Sequence, residues 1–71
     1  MDDHTYRIIE LTGTSAASFE EAIKSAVARA NQTTRNLRWF EVVRSSGRID
    51  DGKVVQFQVT LKVAFTVEDA G

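Results

Sequence analysis

The sequence has no cysteine and no proline, and it contains a single histidine. The lack of cysteine excludes both disulfide bonds and thiolate metal sites. Without proline, the ends of helices and strands must be inferred from Gly, Asn, Asp and Ser. The one histidine, His4, lies near the N-terminus, where a solvated side chain is the ordinary interpretation. We therefore predict no metal site.

Neither sign of charge is in excess, because 9 basic and 10 acidic residues give a formal net charge of −1. This balance argues against a general nucleic-acid binder, which would show a basic excess. No apolar run approaches the roughly 18 residues of a membrane span. The N-terminal sequence MDDHTYR lacks the basic region and apolar core of a signal peptide. We expect a cytoplasmic protein that binds neither nucleic acid nor membrane.

The length of 71 residues predicts a single domain, residues 1–71. A domain this small buries only about 60% of the surface that its unfolded chain exposes, so it is marginally stable alone. Small domains usually gain stability from disulfides, a metal or partner subunits. With the first two excluded, association into a homo-oligomer is the remaining source.

One helix is predicted, and its start is marked by hydroxyl side chains. Ser15 and Ser18 are both candidate N-caps, and Ser18 has Glu21 three residues later, the spacing of a capping box. Apolar residues then recur at helical period and form a single stripe. The stripe comprises Phe19, Ala22, Ile23, Ala26, Val27 and Ala30. The helix is expected to end near Asn31.

Three segments rich in β-forming residues are predicted to be strands: Thr5–Leu11, Asn36–Ser46 and Val54–Val67. The sequence TGTS ends the first, and Asp51-Gly52 predicts a hairpin between the other two. A right-handed crossover makes the first two strands parallel, and the third fits between them. The fold class is therefore α+β. Its order is β-α-β-β, with a three-stranded antiparallel sheet of strand order 1-3-2 and one helix packed on one face.

The hairpin turn also predicts the pairing register, in which the numbers of paired residues sum to about 103. Phe40 then lies on the helix face opposite Val63. Trp39 lies on the other face, opposite Ala64, as side chains alternate along a strand. Glu41 and Lys62 form an opposite-charge pair on that same uncovered face.

The single tryptophan, Trp39, therefore lies on the face that the helix does not cover. It can pack into a subunit interface, or it can stack against a planar ligand, since indole is large, flat and electron-rich. A solvent-exposed tryptophan at a sheet edge is a third interpretation. The pattern of residues alone leaves these three open.

Three motifs, in this order and at this total length, resemble one known family. They are TGTS before the helix, RNLRWFEVV in the second strand and FQVTLKVAF in the third. The chain resembles the dodecins over roughly Tyr6 to Glu68. Dodecins are small βαββ flavin-storage proteins that assemble into hollow dodecamers. The resemblance implies riboflavin or FMN as ligand, with FAD and coenzyme A as further candidates.

The resemblance also implies site residues. Trp39 matches the flavin-stacking tryptophan of the family, and Gln58 matches the glutamine that packs on and hydrogen-bonds the isoalloxazine. In dodecins two flavins stack between two such tryptophans across a two-fold axis, and the tryptophans quench the flavins. Arg44 stands where some members carry an acidic residue beside the ribityl chain, which leaves the preference between riboflavin and FMN open. Arg44 and Arg38 are further candidate contacts.

The predicted register adds a constraint on this site. It places Gln58 opposite Ser45, six residues from Trp39, or about 20 Å at roughly 3.3 Å per residue. One isoalloxazine is too short to contact both side chains within one chain. The hypothesis is that the flavin site exists only in the oligomer.

Other functions have weaker support in the sequence. An enzyme would need a nucleophile and a base, and the sequence offers only Glu41 and Lys62, for which a solvated or interfacial ion pair is the ordinary interpretation. A phosphate binder could use LTGTSAAS before the helix. However, this stretch lacks the second glycine and the lysine of a P-loop, and capping explains its hydroxyls. A non-enzymatic oligomeric interaction module without flavin remains the main alternative.

Overall fold

The chain forms three strands and one helix in the computed structural model, which describes residues 4–67. The elements are β1 (Tyr6–Ser15), α1 (Phe19–Thr33), β2 (Leu37–Asp50) and β3 (Lys53–Thr66). The sheet has the order β1-β3-β2, and both neighbouring pairs are antiparallel. The predicted fold class, element order and strand order are confirmed.

The helix begins where the sequence predicts it. Ser18 is the N-cap, and its Oγ accepts a hydrogen bond from the backbone N–H of Glu21 at 3.0 Å. The alternative cap, Ser15, instead ends β1, where its Oγ accepts from the N–H groups of Ala17 and Ser18 at 2.9 and 3.4 Å. Because Ser15 accepts from the Ser18 N–H, it takes the place that the capping box predicted for the Glu21 carboxylate.

Strand β1 continues four residues beyond its predicted end at Leu11, through the sequence TGTS. The prediction that TGTS ends this strand is therefore wrong, and Gly13 pairs with Val59 within the sheet. A Cβ at Gly13 would collide with the carbonyl oxygen of Ala22 and lie 2.8 Å from the Cβ of Ala26. Gly13 is therefore required by the close approach of the helix to the sheet rather than by a turn.

The hydrophobic core lies under the helix and is short. Small helix residues meet the middle of β3, and the core comprises Ala22, Ala26, Val59, Leu61 and Val63. The odd-numbered residues of β3, from Val55 to Val67, are apolar throughout and predict a continuous core along the strand, but its two ends, Val55 and Val67, are exposed. The reason is length: a 15-residue helix spans about 22 Å, whereas the described residues extend over 57 Å.

The apolar side chains of β2 on the helix side are left uncovered within one chain. Phe40 and Val42 pair with the buried Val63 and Leu61, yet both are nearly half exposed. An open groove of about 440 Å³ lies between Phe40 and the helix, where Val27 lines its other side.

The predicted register holds at the two ends of the hairpin but not in its middle. Trp39 pairs with Ala64 and Glu41 with Lys62, as predicted. A β-bulge follows Val42, and the next pairs are shifted by one residue. Gln58 therefore lies opposite Ser46, which corrects the predicted partner Ser45.

Candidate functional site

The sheet face opposite the helix carries all the side chains singled out as candidate ligand contacts. The side chains on this face come in rungs, one residue from each strand in the order β1, β3, β2. The rungs are Ile8–Ala64–Trp39, Glu10–Lys62–Glu41, Thr12–Thr60–Arg44 and Thr14–Gln58–Ser46. This surface, which we call the open face, runs from an aromatic end to a polar end.

Trp39 forms the aromatic end with a second ring that sequence reasoning did not single out. The rings of Trp39 and Tyr6 meet edge to face, with centroids 6.0 Å apart and an interplanar angle of 65°. Trp39 is 44% exposed, whereas Ala64 beneath it is fully buried. Because no helix covers Ala64, the flanking side chains of Ile8 and Trp39 provide its burial. Trp39 therefore has one packed side and one accessible side.

Tyr6 could have been found from the sequence. The strand order 1-3-2 places β1 beside β3, and Tyr6 pairs with Thr66, two residues from Ala64. Alternation along β1 and β3 then puts Tyr6 on the open face near Trp39. An edge-to-face contact of this kind contributes about 0.5–1.5 kcal/mol beyond area burial, and it restricts the orientation of the indole.

Arg38 lies beside Trp39 at an irregularity of β2, where the pairing shifts between Leu37 and Trp39. The Nε of Arg38 donates a hydrogen bond of 2.9 Å to the Oγ1 of Thr66. Arg38 and Trp39 also border a small cavity of about 130 Å³, but its other lining residues include Val27 and Val63, so it lies on the helix side of the sheet. Ligand pockets usually have about 300–1,000 Å³, so this cavity is too small to enclose a drug-sized ligand.

Gln58 anchors the polar end, and both atoms of its amide are engaged. Its Nε2 donates to the Oε1 of Gln56 at 3.0 Å, and its Oε1 accepts from the Oγ of Ser46 at 3.3 Å. An amide has two donors and two acceptor positions, so one of each remains for a ligand. Sequence reasoning missed Ser46, because its place opposite Gln58 depends on the bulge.

The bulge also decides where Arg44 points. In strict alternation Arg44 would share a face with Phe40, on the helix side. The extra residue places Arg44 opposite Thr60 instead. The hydroxyls of Thr60 and Thr12 are hydrogen-bonded at 2.9 Å, so the guanidinium of Arg44 lies next to a polar rung of the open face. β-Bulges commonly redirect side chains near functional sites.

The four predicted site residues therefore fall into two groups within one chain. Trp39 and Arg38 lie at the aromatic end, whereas Gln58 and Arg44 lie at the polar end. From Ala64 to Gln58 there are six residues along β3, or about 20 Å. The corrected register preserves this separation, because it is measured along β3, which is regular.

The charged rung between the two ends is solvated. Lys62 lies between Glu10 and Glu41, but the ion pairs of residues 4–67 comprise only Lys24–Glu20, at 2.9 Å on the exposed side of the helix. The hydrogen bond between the side chains of Lys24 and Glu20 lowers the pKa of Glu20 and raises the pKa of Lys24. Within residues 4–67, His, Asp and Glu side chains form no group of three or more that could hold a metal ion.

Comparison with known proteins agrees with the resemblance seen in the motifs. The family model described as Dodecin matches residues 5–68. A dodecin from Thermus thermophilus is 45% identical over 64 residues, which cover 90% of this chain and 93% of the relative. The structure of dodecin from Streptomyces coelicolor superimposes with a TM-score of 0.90 at 47% identity, covering 99% of this chain and 100% of that one.

A more distant relative carries a different ligand in its name. The calcium dodecin of Mycobacterium tuberculosis is 29% identical over 92% of each chain. Its structure, described as having a novel calcium-binding site, superimposes with a TM-score of 0.77, covering 94% of this chain and 96% of that one.

In the described residues of our chain, no helix is long and apolar enough to cross a membrane. From the family model and these relatives, the chain belongs to the dodecin family.

Proposed function

We propose that this protein binds and stores flavin, riboflavin or FMN, as stacked and quenched pairs at contacts between its subunits. The observation that carries the proposal is Trp39, whose indole is fixed on one side and accessible on the other. A ring in this setting suits stacking on the planar isoalloxazine. Membership of the dodecin family supports the choice of a flavin over other planar ligands.

The geometry favours a site built from more than one chain. Trp39 is 44% exposed on a sheet face that no helix covers, so a second surface must close over a ligand that stacks there. Trp39 and Gln58 lie too far apart for one isoalloxazine to touch both within a single chain. A symmetry-related subunit that brings its own Gln58 near Trp39 would satisfy both requirements, and a two-fold axis would place two flavins between two tryptophans.

Exposed apolar surface supplies the driving force for this assembly. Phe40 and Val42 are nearly half exposed on the helix side of β2, and Ile49 and Val54 are exposed towards the hairpin tip. Burial of such surface stabilises association by roughly 25 cal/mol per Å². We propose that these residues pack against neighbouring chains, and that the complete assembly is the hollow dodecamer implied by the family.

Stacking accounts for storage without catalysis. A flavin held between an indole and a second flavin has both faces covered, which leaves no face for a substrate. The adjacent tryptophan takes up excited-state energy, so that the bound flavin is not photoreactive. The engaged amide of Gln58 is well placed to hydrogen-bond the rim of the ring, whereas Arg38 and Arg44 can contact the ribityl chain or the phosphate of FMN.

The role of Gln58 gives one prediction. Gln58→Leu keeps a side chain of similar volume but removes the hydrogen bonds, and we expect riboflavin binding to weaken by about 1 kcal/mol, or roughly fivefold. The variant should keep its fold, because Gln58 is only half-buried and its hydrogen-bond partners are the side chains of Ser46 and Gln56. Gln32→Leu, the same change at an exposed helix position, is the control. Equal affinities of Gln58→Leu and the unchanged protein would remove Gln58 from the site.

Co-elution tests the proposal as a whole. Purified, flavin-free protein is mixed with excess riboflavin and separated on a sizing column, while protein and visible flavin absorbance are followed together. We expect both signals in one peak of a large assembly, at one flavin per chain. A large assembly that elutes without flavin would favour the alternative, an oligomeric interaction module. Stoichiometric flavin on a monomer would contradict the two-subunit site.

A further inference from the structure

The rings of Tyr6 and Trp39 meet across the middle strand of the sheet. Neighbouring strands lie about 4.8 Å apart, so β1 and β2 are separated by about 10 Å. The ring centroids are nevertheless only 6.0 Å apart. The strand between them allows this approach because Ala64, the pairing partner of Trp39, carries only a methyl group. A larger side chain at position 64 would project between the two rings.

Tyr6 is itself held in place at the start of β1. It pairs with Thr66 in the sheet. The carbonyl of the preceding residue, Thr5, accepts a hydrogen bond of 2.9 Å from the N–H of Val67. The ring of His4 packs beside that of Tyr6, with centroids 6.4 Å apart and an interplanar angle of 58°. These contacts oppose the fraying that is common at strand ends near a terminus, so the Tyr6 ring is a fixed support.

A fixed support matters for a ligand that stacks on Trp39. The indole is 44% exposed, and an exposed side chain can adopt several rotamers. A ligand that must first select one rotamer pays for that ordering with affinity, whereas a side chain that is already ordered does not. The edge-to-face contact with Tyr6 therefore prepares the indole before the ligand arrives.

We propose that Tyr6 is a positioning residue of the flavin site, which acts through Trp39 and does not touch the flavin. The inference rests on the proposed function, in which Trp39 stacks on the isoalloxazine. The role belongs to the ring of Tyr6 and not to its hydroxyl, because the contact with Trp39 is one between rings. Phenylalanine at this position should therefore serve equally well, whereas leucine should not.

Riboflavin titrations of flavin-free variants test this role. We expect Tyr6→Leu to bind roughly 2- to 10-fold more weakly than the unchanged protein, the cost of ordering one side chain. Tyr6→Phe should bind as the unchanged protein does. The control is Phe19→Leu, which removes a ring of similar exposure, 42% against 44%, from another edge-to-face pair. Its partner there is Phe57, at 5.0 Å, and its riboflavin affinity should not change.

The indole itself gives a second readout that needs no ligand. The chain has one tryptophan, so the long-wavelength indole band in near-ultraviolet circular dichroism reports how firmly Trp39 is held. We expect a weaker band in flavin-free Tyr6→Leu and an unchanged band in Tyr6→Phe and Phe19→Leu. Affinities are compared between samples that elute as the same assembly, and the indole band decides for a variant that does not.

The Trp39→Ala background separates positioning from direct contact. If Tyr6 acts through Trp39, Tyr6→Leu weakens binding in the unchanged protein but adds no further loss to Trp39→Ala. Three results would overturn the proposal: equal losses in both backgrounds, normal affinity of Tyr6→Leu, and an unaltered indole band in Tyr6→Leu. Each leaves the flavin site standing. Absence of riboflavin binding by the unchanged protein would instead overturn the flavin proposal, and this one with it.

Discussion

Replacement of Trp39 by alanine is expected to leave the fold intact and to weaken flavin binding by about 1–3 kcal/mol, the range of one lost aromatic stack on a base. That loss corresponds to roughly 5- to 150-fold in Kd. The fold should survive because Trp39 is 44% exposed and lies outside the core under the helix. The measurement is a riboflavin titration followed by flavin fluorescence, with circular dichroism as the check on folding.

Two further variants show whether the effect belongs to stacking at this position. Trp39→Phe keeps a smaller aromatic ring, so we expect an affinity between those of Trp39→Ala and the unchanged protein. Phe19→Ala removes a ring of similar exposure, 42%, from the first residue of the helix, away from the open face. Provided that a sizing column shows the assembly intact, Phe19→Ala should bind riboflavin normally. Unchanged affinity in Trp39→Ala would assign Trp39 to an interface instead of a ligand.

Replacement of Gly13 by alanine is expected to destabilise the protein by about 3 kcal/mol, the upper end of the range for overpacking a core. The new methyl group would collide with the Ala22 carbonyl oxygen and lie 2.8 Å from the Ala26 Cβ. Neither atom can move aside as a flexible side chain would, so the helix itself must shift from the sheet. The measurement is the thermal midpoint at a fixed protein concentration, because association makes it concentration-dependent.

Gly52→Ala is the matched control for Gly13→Ala. Gly52 has a φ of 74° and no atom within 4 Å of an added Cβ. Alanine there costs about 1–2 kcal/mol of backbone strain and creates no collision. Gly13 has the opposite properties, since it does not share the positive φ and its surroundings are full. A smaller loss in Gly13→Ala than in Gly52→Ala would contradict the role of close helix packing.

Local signals in the sequence predicted most of the architecture. Ser18 predicted the start of the helix because an N-cap uses a hydroxyl next to the residues that it caps. Asp51-Gly52 predicted the hairpin because both residues adopt positive φ, 52° and 74°. The position of this hairpin then predicted the pairing of Trp39 with Ala64.

The bulge in β2 could not be predicted from the residue pattern. Val42 and Val43 are both apolar, so alternation does not reveal that one residue is inserted there. The pairs from Arg44 to Arg48 were therefore predicted one position away, including Ser46 opposite Gln58 and the face on which Arg44 lies, until a second irregularity before Ile49 restores the register. The role of Gly13 was also predicted wrongly. Glycine is required there because the helix packs closely against the strand at Ala22 and Ala26, a tertiary contact that the local sequence does not reveal.

The site itself was predictable only as two separate halves. Trp39 and Gln58 were identified by resemblance, and alternation placed them on one face. Their separation of about 20 Å along the strands means that the complete pocket depends on how chains associate. Association depends on the shapes of surfaces such as Phe40 and Val42, which residue periodicity does not encode.

Titration of riboflavin with the flavin-free protein, followed by flavin fluorescence, tests the central claim most directly. The account predicts that fluorescence falls steeply and reaches its floor at one flavin per chain, because each bound flavin lies against Trp39. Fluorescence that stays bright throughout the titration, from protein that a sizing column shows to be fully assembled, would contradict the stacked flavin site.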